Sequence, residues 1–366
     1  MQNRRDIPLW AFELALVAVT VIWGASFLVL KGALDSMTPG WLLAVRFALA
    51  ALALAIPFGR RIAARLDAAH LRAGLLIGLP EGLAFLIQNV GLVDTTPGRN
   101  AFLTGTYCVM VPFLAWLATG MRPRMREALC AILCLAGIGL VSLRGDLTLW
   151  LSRGDVLTLV GAVFFAVNIL CVDWFGQNGD FITVTFVELV VMAVVCLAGA
   201  LVSEPLPRLA NLAPGFWGQM AYVALGSSTL AMLLQNLAQR HVPSHRAALL
   251  MSLESVFATA FSIAFYGERL SPAVAMGFVL IFASVVASQL AQSQEGRLSH
   301  DQRICPGVIL PPRHSGACAH HRPARGTHLG PLLPLRGQAH ASVRARRQLI
   351  GLHGHLRRLD NPRRGI

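Results

Sequence analysis

Two amide pairs and three acids are the side chains of this 366-residue chain whose types and spacing could do chemistry. Gln88-Asn89 and Gln235-Asn236 stand 147 positions apart. The same shift lays Arg99 on Arg246, Ala101 on Ala248, Leu103 on Leu250 and Gly120 on Gly267. Amides both donate and accept hydrogen bonds, which suits recognition of a zwitterionic or polyhydroxy solute better than bond breaking. Neighbours on a helix point about 100° apart, so one member of each pair is expected to face inward. Hydrogen bonding between helices is their alternative use. Asn100, Thr104 and Tyr107, at i, i+4 and i+7, share one helical face.

Glu81, Glu188 and Glu254 lie inside apolar runs. An acid at the centre of a bilayer costs about 2.5–3.5 kcal/mol, so each needs a use or a partner. Glu254 is read either as lining a cavity or as a structural hydrogen bond between helices. Arg46 and Glu188, related by a local shift of 142, are read as structural, paired or snorkelling. Glu81 sits among Gly74, Gly78 and Gly82, a spacing that predicts close helix packing rather than a site.

Catalytic constellations are missing from the sequence. It has no phosphate loop, no HExxH and no zinc-ligand spacing, and its spans hold no histidine beyond the flanking His70, His241 and His245. Seven cysteines without a framework predict no structural disulfides, and Cys130 and Cys134 are ordinary small residues of an apolar helix. No enzyme, no cofactor and no metal site are expected.

These residues must be positioned by membrane helices. Hydrophobic residues make up 55% and charged ones only 13%, against about 25% charged in soluble domains. Ten stretches are long enough to cross about 30 Å of hydrocarbon as helix: 9–30, 39–58, 73–93, 99–119, 127–143, 156–173, 181–203, 214–238, 246–266 and 271–292. Eleven Lys and Arg fall at the N-terminus and in the even-numbered loops, against six in the opposite loops, which predicts both termini cytoplasmic. The loop 174–180 dissents, with Asp180 and no cation. The first span is too long for a signal-peptide core and is expected to be retained. Five spans per copy turn the second copy upside down, the architecture of alternating-access transporters with a midplane site between the repeats.

The segments WGASF at 23–27, Arg46-Phe47, NAFLTGTYCVMVPFLAW at 100–116, LLMSLESVFA at 249–258 and GERLSP at 267–272 resemble the drug/metabolite transporter superfamily, and within it the EamA-type ten-helix branch. The resemblance covers about residues 10–292. It implies secondary transport, usually export, of small polar metabolites such as amino acids, or of drugs. It also implies that the opening helices of the two repeats, with Trp23 and Asn168, contribute to a central cavity. The candidate substrate-binding residues are therefore Trp23, Gln88, Asn100, Thr104, Tyr107, Asn168, Gln235 and Glu254. Where the family commonly has Glu-Pro in the ninth span, this chain has Glu254-Ser255, so the family's bend there loses its proline.

The expected fold is an all-α integral membrane protein of the bacterial inner membrane. Its parts are an N-terminus (1–9), two inverted five-helix repeats (10–143 and 156–292) joined by 144–155, and a disordered tail (293–366). From Gly296 onward the chain holds thirteen Arg and two acids, so nearly all of the +13 net charge lies there. The tail reads as a polybasic segment touching anionic lipid or as out-of-frame translation of a GC-rich gene. The expected partners are the lipid bilayer and a small-molecule substrate, with no nucleic acid. Coupling to a proton or counter-substrate and pairing into a homodimer are left open. The alternative functions are a membrane-embedded scaffold or sensor without transport and, behind it, a lipid-modifying enzyme.

Overall fold

The computed structural model describes residues 8–120, 122–143, 151–177, 179–207, 212–266 and parts of 272–287. The expected tail, 293–366, lies outside these described residues, as does most of the linker.

All regular structure among the described residues is helical. The elements are α1 (Leu9–Ala33), α2 (Pro39–Arg65), α3 (Ala68–Val93), α4 (Pro97–Gly105), α5 (Tyr107–Thr119), α6 (Met125–Leu143), α7 (Arg153–Phe175) and α8 (Phe181–Ser203). They continue with α9 (Phe216–Ala221), a π-helical stretch (Tyr222–Leu230), α10 (Ala231–Ala238), α11 (Ser244–Met251) and α12 (Glu254–Tyr266). A short apolar helix, Ala275–Ser284, falls in the last expected segment. Among the described residues, seven helices are long and apolar enough to cross a membrane, counting α4 with α5 and α11 with α12 as single crossings.

Local chemistry sets the helix starts. Pro39 and Pro97 stand at first helical positions, where the missing N–H costs nothing. Asp67 accepts from the Ala69 and His70 amides, Thr96 from Arg99, and Asp180 from Thr183. Ser152 and Asp155 form a reciprocal capping box at the start of α7.

Three interruptions shape the bundle. The crossing α4–α5 breaks at Thr106, whose hydroxyl donates to the Leu103 carbonyl at 2.6 Å. The crossing α11–α12 breaks at Ser252 and Leu253, with the Ser252 hydroxyl on the Leu249 carbonyl at 2.7 Å. The crossing is thus interrupted just before Ser255 without the family's proline; Ser255 donates to the Ala101 carbonyl at 3.0 Å, tying the two broken crossings together. In the π-helical stretch, Ser228 and Thr229 donate to the carbonyls five residues back, at 2.9 Å each. Hydroxyls can satisfy backbone groups freed inside a membrane helix.

The most extensive contacts join the two repeats: α3 lies against α7 and α8, α2 against α8, and α1 against α12. Gly74, Gly78 and Gly82 make the α3–α8 approach, since a Cβ at Gly78 would meet the Glu188 Cα at 3.0 Å. Gly91 and Gly154 bring α3 and α7 together in the same way, each Cβ position falling within 2.6 Å of the other's carbonyl oxygen.

Candidate functional site

A cavity opens among α1, α3, α4, α5, α7, α10, α11 and α12. Its wall is built in pairs. Trp23 and Phe165, Ser26 and Asn168, and Phe27 and Ile169 are related by a shift of 142. Gln88 and Gln235, Thr104 and Met251, and Tyr107 and Glu254 are related by 147. Twelve of the fifteen lining residues thus form six repeat-related pairs, and Leu30, Glu81 and Phe85 complete the wall. Both repeats contribute through the same structural positions.

Seven of the eight candidate residues line this cavity: Trp23, Gln88, Thr104, Tyr107, Asn168, Gln235 and Glu254. Asn100 does not. Its amide donates to the Thr158 hydroxyl at 2.8 Å and the Gln88 carbonyl at 3.2 Å, so it fastens α4 to α7 and α3. Asn89 and Asn236 also lie outside the wall, the first bonded to the Phe85 carbonyl, the second to Thr185 and to Glu188.

The two glutamines are not equivalent. Gln88 donates to the Thr104 hydroxyl at 2.7 Å. In the second repeat Met251 takes the place of that threonine and offers no hydroxyl, and the Gln235 amide has no side-chain hydrogen bond among the described residues. The Trp23 indole N–H donates to the Ser227 carbonyl at 2.9 Å, and the Tyr107 hydroxyl to Glu254 Oε1 at 3.3 Å.

The acids are arranged differently from the expectation for them. Glu81 lines the cavity and accepts from the Asn168 amide at 3.4 Å; its glycine neighbours masked that role in the sequence. Across the glycine-built α3–α8 contact α8 presents Glu188, whose backbone lies against Gly78. Glu188 accepts from Asn236 at 2.5 Å and forms no ion pair with Arg46. Arg46, fully buried, donates to Ser228 at 2.7 Å and Ser227 at 3.0 Å, with its guanidinium 5.0 Å from the centroids of Phe47 and Phe85. The π-helical stretch thus presents two hydroxyls to one arginine.

Ion pairs close the two ends of the bundle. At one end Arg99, at the start of α4, meets Asp155 on α7 in a bidentate pair, at 2.9 and 2.8 Å. At the other end Arg246, at the start of α11, meets Glu13 on α1 at 2.5 Å. Arg99 and Arg246 are repeat equivalents by the shift of 147, and Glu13 and Asp155 by that of 142. The second end also carries Arg61 and Arg65 against Asp180, which answers the loop that lacked a cation of its own.

Long apolar helices around a buried cavity to which two repeats contribute matching residues define a multi-pass membrane protein. The chain belongs to the EamA-like transporter family, whose profile matches residues 10–143 and again 152–288. A protein of Archaeoglobus fulgidus described as an uncharacterized transporter is 29% identical over 278 residues, covering 76% of this chain and 85% of that protein. The uncharacterized transporter YyaM of Bacillus subtilis is 24% identical over 280 residues, covering 75% and 92%. A solved crystal structure at 14% identity superposes with a TM-score of 0.63, covering 78% of this chain and 98% of that one, and shares the fold.

Proposed function

We propose that this transporter is a secondary carrier that exports small polar metabolites, such as amino acids, or drugs across the bacterial inner membrane by alternating access. The reading takes the two repeats as inverted five-helix units, ten crossings in all, with both termini in the cytoplasm. The observation that carries it is the pairing of the cavity wall. A site built from the same positions of two oppositely oriented repeats can be opened to either side by equivalent motions. The Arg99–Asp155 and Arg246–Glu13 pairs are the matching closures. Gln88 and Gln235 supply directional contacts, and Trp23, Thr104, Tyr107, Asn168 and Glu254 the rest of the binding surface. Glu254 is also the candidate for carrying a coupled proton.

Two measurements test this. Cysteines placed in 34–38 and 59–67 should label from opposite faces, the first from outside; labelling of both from one face would refute the topology. Comparison of excreted metabolites between deletion and overexpression strains should show solutes that accumulate outside only with the carrier. Transport that requires ATP hydrolysis by the purified chain would contradict a secondary mechanism.

A further inference from the structure

Among the described residues the cavity wall is acidic and aromatic and contains no base. Glu81 and Glu254 face it, and no Lys, Arg or His is among its lining residues. The two acids are compensated differently. Glu81 accepts from the Asn168 amide and has the Arg46 guanidinium over Phe85, its neighbour one turn along α3. Glu254, only 4% exposed, has the Tyr107 hydroxyl as its hydrogen-bond partner and forms no ion pair among the described residues. A carboxyl held in low-dielectric surroundings without a counter-charge stays neutral, and a cationic occupant is what would let this one ionise.

The aromatic residues around it have spent their polar atoms. The Trp23 N–H is committed to Ser227 and the Tyr107 hydroxyl to Glu254. What Trp23, Phe27 and Tyr107 still offer an occupant is ring surface. Ring faces attract cations most strongly where water is excluded. A zwitterionic amino acid would bring its own carboxylate against a wall with no base to receive it.

We propose that the cavity takes an organic cation, a protonated amine or quaternary ammonium on an apolar body, with Glu254 as its counter-charge and the surrounding rings as its cage. The proposal rests on the carrier reading of the same cavity and narrows its substrate class. Gln235, whose amide is engaged by no described residue, is placed to accept a hydrogen bond from a protonated amine, a contact that a quaternary ammonium lacks.

The test uses the purified full chain and four probes of similar size: benzyltrimethylammonium, phenethylamine, phenylalanine and 3-phenylpropionate. Both cations should bind and raise the melting temperature, phenylalanine should bind more weakly and the anion not at all. Glu254→Gln should weaken cation binding by about tenfold to a hundredfold, the span of a lost charged contact plus a lost cage partner. If that variant fails to fold, Glu254→Asp, which keeps the charge, should retain the preference for cations over the anion. Tighter binding of the anion or zwitterion, unchanged cation affinity in Glu254→Gln, or no binding of either cation would overturn the assignment. Proteoliposomes separate it from the carrier reading. Movement of phenylalanine or phenylpropionate without the cations leaves the carrier standing and sinks the cation class. Cations that bind and never cross leave the site standing and sink the carrier.

Discussion

Tyr107 and Glu254, which occupy the same place in the two repeats, meet across the cavity, the Tyr107 hydroxyl 3.3 Å from Glu254 Oε1. Each opens the helix that follows a break, α5 after Thr106 and α12 after Leu253. The repeat thus brings a donor and an acceptor together where a duplicated residue could have met only its own kind. Tyr107→Phe removes this donor and leaves Glu254 without its hydrogen-bond partner. Leaving a buried acceptor unsatisfied costs about 1–3 kcal/mol. A melting temperature unchanged in Tyr107→Phe would show that the contact carries no weight.

The glutamines should part company under substitution. Gln88→Ala strands the Thr104 hydroxyl and costs stability, about 0.6 kcal/mol for a typical hydrogen bond between membrane helices. Gln235→Ala breaks no side-chain bond among the described residues, so its melting point should hold while transport falls several-fold. Thermal melting beside transport assays on both variants separates the cases. Equal losses of stability would show that Gln235 has a structural partner.

Opposite closures should fail in opposite directions. Arg99→Gln loosens the end held by Asp155, and Arg246→Gln the end held by Glu13. Ser26→Cys, placed in the cavity wall of a cysteine-free background, should then gain accessibility from one face of the membrane in the first variant and from the other in the second. Gains from the same face in both would dismiss the ion pairs as paired gates.

Acid should loosen the end that holds Asp180. Burial pushes that carboxyl up, but hydrogen bonds from Arg61 and Thr183 outweigh burial and hold it below the ordinary aspartate range. A depressed carboxylate contributes stability above its unfolded value and loses it as pH falls through the lower folded value. Melting temperature should therefore drop below about pH 4 in the native chain and less in Asp180→Asn, which starts lower. Arg61 is half-exposed, so the effect should be about 1 kcal/mol or less.

Close backbone approach gives a further test. At Gly91 and Gly154 an added methyl would fall within 2.6 Å of the facing carbonyl oxygen, and backbone cannot swing aside as a side chain can. Gly154→Ala should destabilise by about 1–3 kcal/mol, as overpacking does. A melting point equal to that of the native chain would mean that α3 and α7 do not touch there.

Much of this architecture is written along the chain. Apolar runs of membrane length can satisfy their backbone groups only as helix, so the helices over 9–33, 39–65, 68–93 and 181–203 follow from composition and length. The repeat was legible because identical side chains recur at one shift, and that shift already names Gln88 with Gln235 and Tyr107 with Glu254. Periodicity describes one helix at a time, however, and the cavity belongs to helices from both repeats. Asn100 shares a helical face with Thr104, yet Thr158 on α7 captures it. Glu81 reads as part of a glycine packing stripe, yet one turn further along α3 the wall opens and the carboxyl lines the cavity. Ser255 stands where the family has a proline, and the helix still breaks just before it, with the Ser252 hydroxyl on the Leu249 carbonyl and the Ser255 hydroxyl on that of Ala101. A side chain's fate in a membrane turns on which neighbour reaches it first with a matching donor, acceptor or charge, and only the packed helices decide which neighbour that is.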